Sequence, residues 1–249
     1  TIEPVKQVSV GTQVSGVIQK IYVDFNSIVK KGQLLAELDK TPLLAQLASA
    51  KADLEAAASA LTYQESNYNR LKQLFDKKAV SETDYETALY QYSNAKANYA
   101  RSGSDVDRAK TNLGYAVIYS PIDGVVLNRA VDEGQTVAAS FNTPTLFTIA
   151  QDLTKMQVVA NVDEADIGQV KEGQKVNFTV DAYPDDNFAG TVKQVRLLAT
   201  TTANVVTYSV VIDAPNPELK LKPGLTASIT AFEQEVENVL TIPAKALRF

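Results

Sequence analysis

The chain contains neither cysteine nor histidine. Thiol nucleophiles, histidine-based triads, dithiol redox pairs and zinc sites built on Cys or His are therefore excluded. Any chemistry would have to come from carboxylates, hydroxyls, tyrosine, lysine or arginine. The carboxylate pairs Asp185/Asp186 and Glu233/Glu235 have the residue types for general acid–base work. Both sit in turn or strand-end contexts with no partnering Arg or His, which reads as solvated surface. Lys30-Lys31 and Lys77-Lys78 are too short to follow a phosphate backbone. A net charge of −5 and a pI near 4.9 also argue against nucleic acid as a partner. The composition thus points away from catalysis, and no cofactor is expected.

The elements explain what the side chains are for. Residues 8–38 read as short strands punctuated by Gly11, Gly16 and Gly32. They end in Val29-Lys30-Lys31-Gly32-Gln33-Leu34-Leu35. A second run, Ser120-Pro121-Ile122-Asp123-Gly124-Val125-Val126 followed by Gly134-Gln135-Thr136-Val137, answers the first after a long interval. The interval has no proline from Leu43 to Ser120. Thr41 as N-cap and Pro42 at the first helical position start a helix there. Leu47, Leu54, Leu61, Tyr68 and Phe75 then recur every seventh residue. Ala50, Ala57, Gln64 and Leu71 form the companion register three places on, as in a coiled coil. A second helix repeats the pattern with Tyr85, Tyr92, Tyr99, Val106 and Leu113 against Ala88, Ala95, Ser102 and Ala109. The link at 77–80 is short, so the helices run antiparallel, each about 50 Å long. One apolar seam per helix demands a partner along its length, and each helix supplies the other's.

Beyond Ile149 the chain alternates. Asp152–Lys155 reads as a linker and 163–167 as a short acidic-capped helix. Strands are expected around Val158, Phe178, Val210 and Ile229, with turns at Tyr183-Pro184-Asp185-Asp186, Pro215-Asn216-Pro217 and Lys222-Pro223-Gly224. This is the pattern of a small antiparallel barrel or sandwich. Val239–Pro243 opens one more strand. No run of about 18 apolar residues is present.

The two β runs resemble the halves of a lipoyl/biotinyl fold. In carriers of that fold a modified lysine sits in the turn between the halves, and Lys40 lies at that junction. Pro42 starts a helix just beyond it, however, so a solvated lysine at a strand–helix corner is the better reading. At the far end of the hairpin, Arg70, Leu74 and Ser81 match an Arg-x3-Leu-x6-Ser pattern. With Val10–Gly16, Thr111–Tyr115 and Asn238–Pro243 in this order, the chain resembles the periplasmic adaptors, or membrane fusion proteins (HlyD-like), of tripartite efflux pumps. Within that family it resembles the MacA-type adaptors of ABC-driven macrolide exporters.

The resemblance implies that Arg70, Leu74 and Ser81 dock onto a TolC-like outer-membrane channel. Their plainer roles are also expected. Ser81 can cap the second helix with Asp84 as partner, Arg70 can pair with Glu82 or Glu86, and Leu74 can pack beside Phe75. It further implies a possible channel constriction at the loop holding Glu133, where relatives place a glutamine; an acidic turn is the plain alternative. Overall the expectation is an elongated α+β multidomain protein and not an enzyme. A coiled-coil hairpin (42–113) is inserted in a split lipoyl-like sandwich (9–41 and 114–152), followed by a β-barrel (153–235). Residues 1–8 and 236–249 would form an incomplete membrane-proximal domain. Homo-hexamers, an inner-membrane ABC transporter as second partner, and a periplasmic location with an anchor outside this sequence complete the picture. Adaptors of RND pumps or type I secretion systems, and remotely a lipoyl or biotinyl carrier, are the alternatives.

Overall fold

The computed structural model describes residues 1–139, 143–202 and 205–231. They fall into two compact units. One spans Val8–Ile149 and the other joins Thr1–Gln7 to the chain from Ala150.

The first unit is built on two four-stranded sheets. One runs β2 (Gln7–Gly11), β9 (Thr145–Ala150), β7 (Gly124–Arg129) and β4 (Ile28–Val29). The other runs β6 (Val117–Tyr119), β5 (Leu34–Leu38), β3 (Gly16–Ile21) and β8 (Thr136–Val137). The two sequence halves are interleaved, not merely adjacent. β5 pairs antiparallel with β6, placing Ala36 opposite Ile118, and β4 pairs with β7, placing Val29 opposite Gly124. Ile18, Val29, Leu35, Leu38, Val126, Leu146 and Phe147 are buried in one core drawn from both halves. Neither half could bury its apolar face without the other.

Between β5 and β6 stand α1 (Thr41–Asp76) and α2 (Glu82–Tyr115). The heptad reading holds residue by residue. Leu47, Leu54, Leu61, Gln64, Tyr68, Leu71 and Phe75 are half-buried and Ala57 is buried, whereas most of the residues between them are exposed. On α2, Ala88, Ser102, Val106 and Ala109 are buried; Tyr99, at 40% exposure, is the weak point of the seam. Near the turn the seam is aromatic. Phe75 stacks on Tyr85 with centroids 4.8 Å apart, Tyr85 lies 5.9 Å from Tyr68, and Tyr68 stacks on Tyr92 at 5.3 Å. The Tyr68 and Tyr85 hydroxyls lie 3.4 Å apart, and this bond is the main cause holding the Tyr85 phenol above its ordinary value. Toward the β base, alanine and serine take over and let the backbones approach.

The start of α1 differs from expectation. Thr41 is the first helical residue, not the cap. The Asp39 carboxylate accepts the Thr41 N–H at 2.9 Å, and Lys40 makes no side-chain cap. An anion can satisfy an orphan donor of the first turn as well as a hydroxyl can.

The second unit carries a six-stranded antiparallel sheet in the order β1 (Ile2–Pro4), β10 (Lys155–Asp163), β13 (Val205–Pro215), β12 (Tyr183–Thr202), β11 (Lys175–Val180), β14 (Ala227–Ala231). Its core gathers Ile2, Met156, Val158, Val176, Phe178, Val180, Ile212 and Leu221. The sheet curls far enough that Ile2, on one edge strand, exchanges two backbone hydrogen bonds with Gly224 and Leu225, just before the other edge strand. Two sequence expectations are corrected. Tyr183–Asp186 is not a turn but the start of β12, because Val180 already pairs with Tyr183 and the reversal takes only Asp181 and Ala182. The helical turn expected at 163–167 begins later, as a 3-10 turn at Ile167–Gln169, because β10 runs on to Asp163. Residues 1–8, expected in a membrane-proximal piece, place Ile2–Pro4 on the edge of this sheet. Residues 236–249, Glu233, Glu235 and the strand expected at Val239–Pro243 lie outside the described residues.

Candidate functional site

The hairpin closes in five residues. Lys78 adopts a left-handed conformation (φ 56°), and its N–H donates to the Phe75 carbonyl while the Ala79 N–H donates to that of Leu74, both at 2.8 Å. This is a Schellman closure with lysine where glycine is usual. Ser81 then caps α2. Its Oγ accepts the Asp84 N–H at 3.2 Å and donates to the Asp84 carboxylate at 2.6 Å. Glu82 and Asp84 supply negative charge to the first turn, where the helix dipole favours it.

Arg70 and Leu74 sit one turn apart on the last turns of α1, so they share a face. Both are exposed, Leu74 to 37%. Arg70 does not pair with Glu82 or Glu86. It donates from Nη2 to Asn67 Oδ1 at 2.8 Å and has no carboxylate within ion-pair distance among the described residues. The geometry explains this. In an antiparallel hairpin the flank of α1 preceding each a-residue lies beside the same flank of α2. Arg70 is on that side; Glu82 and Glu86 are on the other. Ser81, the first residue before α2, is exposed as well. The three nominated residues therefore all reach solvent within the last turns of one hairpin. Asn67, which orients the guanidinium, escaped the sequence reading; its i,i+3 spacing to Arg70 was the available signal.

Glu133 lies elsewhere in the same unit and is already engaged. Its Oε1 accepts the Ile21 N–H at 2.9 Å. The turn that carries it belongs to a recurring device. In 24–27, 30–33, 132–135, 171–174 and 222–225 the third residue (Asn26, Gly32, Gly134, Gly173, Gly224) has φ between 62° and 92°. Its N–H donates to a carbonyl on a neighbouring segment, and the N–H of that same neighbour donates to the fourth residue's carbonyl. Gln33, Gln135 and Gln174 also close their own turns, accepting the first residue's N–H through Oε1. A positive φ at the third position is what makes glycine recur.

The other nominated groups assemble no chemistry. Lys40 pairs with Glu37 at 3.2 Å. Asp186 pairs with Lys220 at 3.2 Å; Glu218 and Asp186 together raise the Lys220 ammonium's pKa. A cavity of about 760 Å³ within the six-stranded sheet is lined by Val176, Val192, Ile212 and Ile229 with Asp166 and Gln169, and Asp166 is the one titratable side chain among its lining residues. Among the described residues no cluster of three or more acidic groups could hold a metal ion.

The family model described as the RND MFP barrel-sandwich hybrid domain matches residues 6–150. The chain belongs to the membrane fusion proteins, the periplasmic adaptors of efflux pumps. A second family model, the YknX-like beta-barrel domain, matches residues 156–231 of the adaptor. Among curated relatives, the macrolide export protein MacA of Escherichia coli O157:H7 is 33% identical over 260 residues, covering 99% of this chain and 70% of the relative. The pyoverdine export membrane fusion protein PvdR of Pseudomonas aeruginosa is 28% identical, with 99% and 72% covered. Among solved structures, MacA from Actinobacillus actinomycetemcomitans is 39% identical with a TM-score of 0.67, over 93% of this chain and 76% of that one. The adaptor is thus closely related to the MacA type. It is a non-catalytic periplasmic protein that links an inner-membrane transporter to an outer-membrane channel. Among the described residues no helix is long and apolar enough to cross a membrane.

Proposed function

We propose that this adaptor joins an inner-membrane ABC-type transporter to a TolC-like outer-membrane channel and serves the export of drugs or other small molecules. It docks on the channel through Arg70, Leu74 and Ser81. The observation that carries the docking reading is the state of Arg70: an exposed guanidinium fixed by Asn67, with no carboxylate partner among the described residues, one turn from an exposed leucine and beside a capped helix start. A rigid cation flanked by apolar surface makes a small, directional contact, and one such contact is weak. Firm docking needs several at once. Six copies around an axis supply them, and cyclic symmetry closes the conduit. In that ring the split sandwich (9–41 and 114–152) and a closed barrel (153–235) encircle the axis, with a membrane-proximal piece and an inner-membrane anchor beyond. Glu133 would narrow the lumen with its second carboxylate oxygen, which has no partner among the described residues.

The ABC-type assignment rests on the likeness to MacA. An RND partner is the second reading, favoured by the match of residues 6–150 to the RND MFP barrel-sandwich hybrid domain. Cross-linking in the native host followed by mass spectrometry of the inner-membrane partner decides between them. An ABC transporter is expected, and recovery of an RND transporter instead overturns the assignment.

A further inference from the structure

The distal hairpin has two unlike flanks. With Tyr68 and Tyr85 as a-residues, one flank carries Tyr63, Asn67, Arg70 and Leu74 from α1, and Asp84, Thr87 and Gln91 from α2. The opposite flank carries Glu65, Lys72 and Asp76 from α1, and Glu82, Glu86 and Lys96 from α2, all exposed. Its one large apolar residue is Leu89, set among these charges at 39% exposure. The first flank has two charged groups in this stretch. One of them, Asp84, is held by Ser81.

Tyr63 is the anomaly that gives the first flank a direction. It is 67% exposed, packs in no seam, and stands in a 4-3-4 succession with Asn67, Arg70 and Leu74. That spacing keeps the four residues in one narrow stripe along the helix axis, a second ridge beside the seam and of the kind that packs against a facing helix. Tyrosine and arginine are the residue types that dominate binding energy at protein interfaces, while lysine, glutamate and aspartate are depleted there. Resting on the reading that the tip docks onto a channel, we infer that the docking surface is this whole ridge. It extends about 17 Å along α1 from Leu74 to Tyr63. Its occupant is an α-helix of the outer-membrane channel bearing a carboxylate level with Arg70. The carboxylate follows from charge: Arg70 spends one donor on Asn67 and meets no anion among the described residues. The charged flank faces water.

The test uses the full-length adaptor and the purified TolC-like channel of the same host, with binding followed by biolayer interferometry. Tyr63→Ala and Arg70→Ala are each expected to weaken binding by about tenfold or more. Tyr63→Phe restores binding, and Glu65→Ala and Lys72→Ala stay within about twofold, as for charges outside an interface. Unchanged helicity by circular dichroism separates lost contact from lost fold. If Arg70→Ala weakens binding but Tyr63→Ala does not, the extension is overturned and tip docking stands. If neither Arg70→Ala nor Leu74→Ala has an effect, tip docking itself falls. Equal losses from Glu65→Ala and Tyr63→Ala overturn the two-flank assignment. So does a photo-crosslinker at position 63 that captures a second copy of the adaptor in place of the channel.

Discussion

The hairpin tip and the Glu133 turn were both marked by residue type and position, yet the structure treats them differently. At the tip the polar groups that matter are oriented but not consumed: Asn67 steadies Arg70, whose other donors have no partner among the described residues, and Leu74 remains exposed. In the turn, Glu133 spends one carboxylate oxygen on the Ile21 N–H and helps clasp two segments of the base. A group already satisfied within its own chain has less to offer a partner, since a new bond only replaces an old one. The tip bond orients a side chain within one helix, whereas the turn bond ties two distant segments together; that difference, more than exposure, separates a surface for partners from a surface for folding.

The largest effect is expected at the tip. Arg70→Asp or Leu74→Asp should reduce drug resistance to that of cells lacking the adaptor while leaving helicity intact. Unchanged resistance would erase the contrast. At the Glu133 turn the effect should be on stability. Glu133→Ala is expected to cost about 1 kcal/mol by leaving the Ile21 N–H without its acceptor, whereas Glu133→Gln keeps an acceptor and costs less. Urea unfolding measures both, and export lost in Glu133→Gln at full stability would move this residue to the partner side of the comparison. Ser81→Ala tests whether a residue can serve both purposes. Loss of the cap alone is worth about 1 kcal/mol, and a loss of channel binding beyond that marks a direct contact.

The smallest effect concerns pH. Backbone and side-chain hydrogen bonds from Thr41 hold Asp39 below its ordinary value. Its folded pKa is depressed, so its stabilising contribution is present above about pH 4. It is lost as pH falls through the lower folded value. Asp39→Asn should therefore lower stability in the neutral region, leave it little changed below the depressed folded value, and so flatten part of the acid limb of the stability curve.

The seam was legible because burial enforces a seven-residue repeat over many turns, and a repeated constraint survives local noise. The Ser81 cap was legible because its chemistry is local. The Thr41 cap was misplaced by one such local choice, since Asp39, two residues earlier, accepts the N–H of Thr41 itself and draws it into the helix as its first residue. The expected pairing of Arg70 with Glu82 or Glu86 failed for a reason already contained in the heptads: the residues occupy opposite flanks. Tyr183–Asp186 misled because proline and aspartate usually mark reversals, yet β12 is long enough to absorb them at its start. Of the five clasped turns, the Gly-Gln pairs at 32–33 and 134–135 were visible as a repeat. The match at Asp24–Ser27 was not, because asparagine there takes the place of glycine.

The interleaving of β5 with β6 makes reach an independent variable. Both roots of the hairpin are fixed side by side by a strand pairing that knows nothing of what lies beyond it. Adding one heptad to each helix would move the tip outward by about 10 Å without disturbing the base. Adding residues to one helix alone would put the two seams out of step. Adaptors of this build can therefore be fitted to envelopes of different depth by matched insertions, with the anchoring fold left unedited.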